Sequence, residues 1–440
     1  MPRTTVSLGE GFRAARCTSD EPACGGPLPP RHTPRCMKIL WVKGGKLLPV
    51  DTGGKIRSYN ILRHLARRHQ TTLLSYYPGA RDEAYEHALE REFPGALALS
   101  IGGQEGIVGE VLQYAVHFPR AAPFSVTKFT ADVVRRGIVT LLAERRPDVA
   151  VCDFLAPSLN FSRHMTVPTA LFQHNVESGL WRRQAKYERN IAMRAIFAIE
   201  ARKMFRYERS ALTQFKHIIA VSEHDKTLMR EMASDAQITV VPTGVDVGMY
   251  RRSSPPGDTR PTVMFLGSMD WPANSDGVTY FCEQIWPRVV AAVPGATFRV
   301  VGRRPPARIQ NLASDSVEIV GGVEDVTPYL HAATVFVVPL RIGGGTRLKI
   351  YEAMASGLPI VSTSVGAEGL DVTHQRDILL ADDPIQFAAD VIDLLTNHVR
   401  RQAMARAAET TATRFDWSVI ADEFQALLER IAFPTQPHVQ

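Results

Sequence analysis

The sequence predicts an α/β protein built from two doubly wound units with parallel sheets. Three observations carry this. From residue 37 onward, short apolar and β-branched runs alternate with segments of helical periodicity, the pattern of a parallel sheet with helices on both faces. The alternation is broken once, at Ser253-Ser254-Pro255-Pro256-Gly257, a linker by composition, and then restarts. A chain of 440 residues is also longer than one core usually organises. Two Rossmann-like domains facing across a cleft are therefore expected, at 37–247 and 262–414. A linker at 248–261 would join them, and a last helix at 415–433 would pack back on the first domain.

Composition narrows the function. Hydrophobic residues make up 45% and charged residues 22%, a globular balance. No apolar run approaches the roughly 18 residues of a membrane span, and no apolar leader is visible, so the chain is expected in the cytoplasm. The five cysteines are an odd number without a C-x-x-C pair, which argues for free thiols. A net charge of +6 favours acidic partners such as nucleotides or phospholipids. Nucleic acid is set aside because no helix-turn-helix, RNP or zinc-finger pattern occurs.

The elements follow in order. Residues 1–36 hold Gly25-Gly26-Pro27-Leu28-Pro29-Pro30 and no periodic pattern, and are expected to be an extension outside the fold. Lys38 to Val42 is a first strand. Thr52-Gly53-Gly54-Lys55 then opens a helix through Ile56, Tyr59, Leu62 and Leu65, and Thr71 to Ser75 is a second strand. Glu83 to Glu92 reads as a helix and Ala96 to Ser100 as a strand. Val108–Val116 and Phe124–Val134 read as helices, the second basic and aromatic enough to rest on a membrane or grip an acceptor. Asp148 to Phe154 and Pro168 to Phe172 are buried strands. The latter ends in Gln173-His174-Asn175-Val176-Glu177, at the carboxyl end of a parallel strand, where open α/β sheets bind ligands. Ser178–Gln214 reads as one long charged helical region. Strands follow at His217–Ser222 and Ile238–Pro242, then, past the linker, at Thr262–Leu266, Thr297–Val301, Ser316–Val320, Val335–Val338, Pro359–Thr363 and Ile378–Leu380. Phe387–Leu395 and Arg400–Arg430 read as helices.

One stretch carries most of the chemistry. Val335 to Val338 is a strand, Gly343-Gly344-Gly345 a turn, and Leu348 to Ala355 a helix closed by Gly357 and Pro359. A glycine turn admits close approach of a ligand, and a helix start attracts anions. Lys349 and Glu352, three apart, share a face and suit a nucleotide: diphosphate to the amides and Lys349, ribose to Glu352. A turn that needs glycine only for packing is the plain alternative. The spacing is neither a dinucleotide fingerprint nor a P-loop.

Taken together, Gly53-Gly54-Lys55, Gln173 to Glu177, Thr243-Gly244-Val245-Asp246, Phe265-Leu266-Gly267-Ser268 and Glu352 to Val361 resemble a GT-B glycosyltransferase of the group 1 type, glycosyltransferase family 4, over roughly Met37 to Leu428. The likeness is greatest to bacterial exopolysaccharide and envelope sugar transferases. It implies retaining, metal-independent transfer of a hexose from a UDP- or GDP-linked sugar to a glycan or lipid-linked acceptor, without a cofactor, in the cytoplasm at the inner face of the membrane. It implies that Glu352 contacts the ribose, that Gly53 and Gly54 approach the diphosphate, and that His174 stands near the transferring sugar. Gly267 would belong to the donor site. Gly344 stands where the family's E-x7-E motif has its first Glu, and Ser268, Met269 and Asn274 where cations are usual. Arg347 and Lys349, with the amides of Gly344, Gly345 and Thr346, are expected to supply the missing positive character. An epimerase of the same fold and a non-catalytic nucleotide-sugar-binding protein are the alternatives.

Overall fold

The computed structural model describes residues 35–102, 114, 116–118, 120–188, 190–252, 260–342 and 347–434. Residues 1–34, most of the expected helix at Val108–Val116, and Gly344, Gly345 and Thr346 lie outside the described residues.

The first sheet holds β1 (Lys38–Gly44), β2 (Gln70–Tyr77), β3 (Leu97–Ser100), β4 (Val149–Asp153), β5 (Thr169–Phe172), β6 (His217–Ala220) and β7 (Gln237–Val240). The second holds β8 (Thr262–Leu266), β9 (Thr297–Val301), β10 (Val317–Gly321), β11 (Val335–Val338), β12 (Ile360–Ser362) and β13 (Leu379–Leu380). Their orders are β3-β2-β1-β4-β5-β6-β7 and β10-β9-β8-β11-β12-β13, and every pairing is parallel. Each unit thus starts in mid-sheet, builds one edge, then crosses to the other. The direction in which strands are added reverses between β1 and β4, and again between β8 and β11, which opens a crevice at the carboxyl ends of those strands. Helices cover both faces, so central strands such as Val149–Asp153 and Val335–Val338 are buried throughout. The structure therefore has the GT-B architecture of two Rossmann-like domains that the sequence predicts.

Three helical predictions need correction, each at a side chain that bonds the backbone where the helix breaks. Phe124–Val134 is a short turn, Phe124–Thr127, followed by a separate helix, Asp132–Arg145. Asn160 holds the break, accepting the Ala131 N–H at 3.1 Å and donating to the Phe129 carbonyl at 2.8 Å. Ser178–Gln214 is two helices, Glu177–Tyr187 and Ile191–Gln214, because Asn190 caps the second by accepting from Ala192 and Met193. Arg400–Arg430 is likewise His398–Thr413 and Trp417–Ala432, the latter capped by Asp416.

The chain crosses between the units twice, and the two crossings are tied together. Val245 donates its N–H to the Phe415 carbonyl at 2.8 Å and accepts from Trp417 at 3.1 Å. Helix Trp417–Ala432 then lies on the first unit, where Phe424 packs 5.6 Å from Trp41 and 4.9 Å from Phe172 between ring centroids, and Asp422 pairs with His64 at 2.9 Å. Among the described residues, no helix is long and apolar enough to cross a membrane.

Candidate active site in the cleft between the sheets

A cavity of about 410 Å³ opens where the carboxyl ends of the two sheets meet. Gly53, Gly54, Arg57 and His174 line it from the first unit. Ser268, Trp271, Asn274, Leu340, Arg347 and Lys349 line it from the second. A larger cavity, about 720 Å³, lies at the opposite ends of β5 to β7, beside Pro168, His217 and Gln237, away from the switch point where doubly wound sheets bind ligands.

His174 follows β5 and is almost fully buried. Its Nε2 lies 2.8 Å from Oδ1 of Asp153, the last residue of β4. The other oxygen of Asp153 accepts from Trp41 Nε1 at 3.0 Å and Lys43 Nζ at 3.2 Å. Lys43 and Asp153 are register partners on β1 and β4, at the switch point of the first sheet. Burial opposes ionisation of Asp153, but Lys43 and His174 outweigh it and hold the carboxyl well below the usual carboxylate range. Burial depresses His174 to about 4, against the opposing pull of Asp153. The imidazole is therefore neutral near pH 7. Because Asp153 is the acceptor, Nε2 carries the proton and Nδ1 presents a lone pair, which has no hydrogen-bond partner among the described residues.

The ring is held flat. Phe154 stacks on His174 with centroids 3.8 Å apart and planes 7° from parallel. Phe154 reaches this position with φ +77°, a conformation costly for a bulky side chain and the kind of outlier that collects at sites. Gly54 sits against the edge of this stacked pair: a Cβ there would lie 2.5 Å from Phe154 Cζ and 3.7 Å from His174 Nδ1. Gly53 begins helix Gly53–Arg68, whose first N–H groups have no acceptor within their own helix. A Cβ on Gly53 would touch Leu348 across the cleft at 3.5 Å. The glycines thus let the start of one helix approach the start of the other, Leu348–Ala355.

In the second unit, Lys349 donates to Asn274 Oδ1 at 2.9 Å, and Asn274 donates to the Ser268 carbonyl at 2.8 Å. The ammonium also lies 4.5 Å above the Phe265 ring. Burial and the neighbouring Arg347 bring Lys349 down to about 7, with Glu352 pulling the other way. Burial lowers Arg347 to about 10, so it remains a cation. Gly267 lies beneath this pair, and a Cβ there would lie 2.6 Å from Lys349 Nζ and 2.8 Å from Asn274 Nδ2. Its contribution here is room for the cation. Glu352 turns to the linker, where Tyr250 donates to it at 3.2 Å, and burial raises its carboxyl above the usual value. Helix Leu348–Ala355 ends as the glycine and proline predict: Gly357, at φ +66°, donates to Met354, and Leu358 donates to Ala353.

Of the residues singled out in the sequence, Gly53, Gly54, His174, Arg347 and Lys349 meet at the cavity. Gly267 and Glu352 stand behind it, and the turn Gly344, Gly345 and Thr346 is outside the described residues. The sequence reading missed Arg57, Lys43 and Asp153. Arg57 is buried, stacked 4.5 Å over Phe172, and donates to the Val241 carbonyl. Burial lowers it to about 9, and Asp153 and Asp225 resist the shift. Its signal was present: Arg57, Ile61 and Leu65 fall on one line of the helix, which puts a charge on a core stripe. Lys43 and Asp153 stand at the carboxyl ends of strands whose centres are apolar. Among the described residues, no cluster of three or more His, Cys, Asp or Glu side chains could hold a metal ion.

Comparison with known proteins gives the same picture. The family model described as Glycosyltransferase Family 4 matches residues 52–248, and that described as Glycosyl transferases group 1 matches 260–397. The chain is 29% identical over 230 residues to a phosphatidyl-myo-inositol mannosyltransferase of Mycobacterium leprae, covering 49% of this chain and 59% of the relative. It is 25% identical over 145 residues to an uncharacterized 44.6 kDa protein in the cps region of Klebsiella pneumoniae, covering 31% of this chain and 37% of the relative. The matches thus span between 37% and 59% of these relatives' lengths. In fold it is similar to sucrose-phosphate synthase from Thermosynechococcus elongatus, with TM-score 0.64, 16% identity and coverage of 90% and 99% of the two chains. It is also similar to Anabaena Alr3699/HepE in complex with UDP and glucose, with TM-score 0.61, 16% identity and coverage of 89% and 99%. With one family model on each sheet and the shared two-domain architecture, the chain belongs to the group 1 glycosyltransferases, glycosyltransferase family 4.

Proposed function

We propose that this protein transfers a hexose from a UDP- or GDP-linked sugar to a glycan or lipid-linked acceptor, retaining the anomeric configuration and using no metal. The observation that carries the reading is the cavity itself. On one wall it brings Lys349 and Arg347 together; opposite stand a glycine-opened helix start and His174.

The division of labour follows from charge. As the bond to the sugar breaks, negative charge grows on the leaving diphosphate. Lys349, Arg347 and the amides at Gly53 and Gly54 form a preorganised, largely dehydrated set of donors for it. The neutral His174, its orientation fixed by Asp153, accepts a hydrogen bond at Nδ1 from a hydroxyl of the transferring sugar. Glu352, steadied by Tyr250, takes the ribose. Attack comes from the face the leaving group departs, and the departing phosphate takes the acceptor proton. Closing the cleft on the hinge at Val245 excludes water, which would otherwise compete as acceptor. The relative's mannosyltransferase name, the cps-region relative and the neighbour bound to UDP and glucose support a nucleotide-sugar donor and an envelope or exopolysaccharide product.

The test is to incubate the purified chain with UDP- and GDP-hexoses, with and without lipid-linked or glycan acceptors. Nucleoside diphosphate release and the anomeric configuration of the product are then measured. Acceptor-stimulated release with retention is expected. Donor binding without turnover for every acceptor would indicate a binding protein, and an inverted product would overturn the retaining mechanism. Glu352→Ala and Lys349→Ala should weaken donor binding at least about tenfold, the loss of one charge-assisted hydrogen bond. His174→Ala should mainly lower kcat, and equal donor affinity in all three variants contradicts the assignment.

A further inference from the structure

The helical hairpin that leads away from the cleft segregates its charge. In helix Ile191–Gln214 both carboxylates face inward, Glu200 at 1% and Glu208 at 0% exposure. Glu208 caps the neighbouring helix, accepting the N–H groups of Glu177 and Ser178 at 2.9 and 3.0 Å. Glu200 accepts from the Phe124 N–H at 3.0 Å and pairs with Lys203 at 3.0 Å. Every exposed charged side chain of this helix is an arginine: Arg194, Arg202, Arg206 and Arg209.

Large apolar side chains stand in water beside them. Ile191 is 75% exposed, and Ile199 and Phe205 are exposed as well. Positions 191, 195, 199, 202, 206 and 209 follow one another at helical spacing along the outer face. The partner helix adds Arg182, whose guanidinium lies 5.6 Å from the Phe205 ring, and the exposed Lys186. A face meant only for water has no use for three large apolar groups, and normally mixes both signs of charge.

We propose that this face docks on an anionic lipid surface. The apolar side chains enter the headgroup boundary while the arginines reach lipid phosphates, the arrangement of an interfacial amphipathic helix. A second copy of this chain is a poor occupant, since a two-fold contact would set arginine against arginine. The basic and aromatic stretch at Phe124–Val134 is less suited: there Lys128 folds over the rings of Phe124 and Phe129 at 5.9 and 5.4 Å. Leu180 of the partner helix, Glu177–Tyr187, lines the cleft cavity, so docking brings the cleft near the headgroups. Only that consequence, access to a lipid-linked acceptor, rests on the proposed transfer reaction.

Co-sedimentation of the full chain with phosphatidylglycerol-rich or pure phosphatidylcholine vesicles tests the proposal. Binding to the anionic vesicles alone is expected, weakened near 1 M salt, where the screening length falls to about 3 Å. The combined variant R202Q, R206Q and R209Q should lose at least about tenfold in partitioning. The variant I191S and I199S should lose binding at an unchanged Tm, because both side chains are exposed. No sedimentation, equal sedimentation with both lipids, or unaltered binding by the arginine variant would overturn the proposal. So would a dimer, seen by sedimentation velocity, that the same substitutions dissociate. None of these readouts depends on sugar transfer, so the two readings fail separately.

Discussion

The imidazole of His174 donates from Nε2 to Asp153 Oδ1 across 2.8 Å, and this contact decides which ring nitrogen keeps its lone pair. Asp153 can play this part because Trp41 and Lys43 occupy its other oxygen and keep it ionised. A buried neutral histidine beside a buried ion pair leaves a mark on stability as well as on chemistry.

That mark is a loss of stability on mild acidification. His174 is held at about 4 in the folded chain, against about 6.5 when unfolded. Between those values the unfolded state binds more protons, so stability rises with pH through the window and is lost as pH falls below about 6.5. The contribution between pH 7 and 5 is roughly 2 kcal/mol by linkage. Urea denaturation at the two pH values should show it, and His174→Gln should remove most of the difference. An unchanged pH dependence in the variant would mean that His174 is not the group responsible.

Nucleotide affinity should depend on pH through Lys349. Its value of about 7 in the free protein means that the ammonium is half deprotonated near neutrality. A bound diphosphate favours the charged form, so binding takes up a proton and affinity falls as pH rises from 7 to 9, by up to about tenfold per unit. Calorimetry in two buffers of different ionisation enthalpy measures the uptake. Lys349→Arg, charged throughout this range, should bind with a flatter pH profile. A profile of the same slope in both proteins would place the titrating group elsewhere.

Gly54→Ala should damage turnover through Phe154. The added Cβ would lie 2.5 Å from the ring that stacks on His174, so ring and imidazole must shift together. Overpacking of this kind costs about 1–3 kcal/mol. A drop in kcat of at least about tenfold is expected from the displaced histidine, with the second sheet and its nucleotide affinity little changed. Loss of affinity with unaltered kcat would show instead that Gly54 serves the donor alone.

The sequence by itself determined the two-sheet architecture, the positions of nearly all strands, and five of the residues that line the cleft. It could do so because parallel strands buried on both faces need continuous apolar runs, and glycine-opened helix starts are visible as local patterns. Helix ends were less legible: Asn160, Asn190 and Asp416 divide segments whose periodicity reads as continuous, since each break depends on which backbone groups one side chain bonds. Tertiary structure alone decided the partnerships. Lys43 and Asp153 are 110 residues apart and meet only because β1 and β4 are neighbours at the switch point. Arg57 reads as one more surface arginine until Phe172 and the Val241 carbonyl close around it. Gly267 and Glu352 are picked out by local motifs, but only the fold sets one beneath Lys349 and pairs the other with Tyr250. Spacing along a chain fixes which residues share an element. Which elements face one another, and which charge is desolvated against which partner, is fixed by packing.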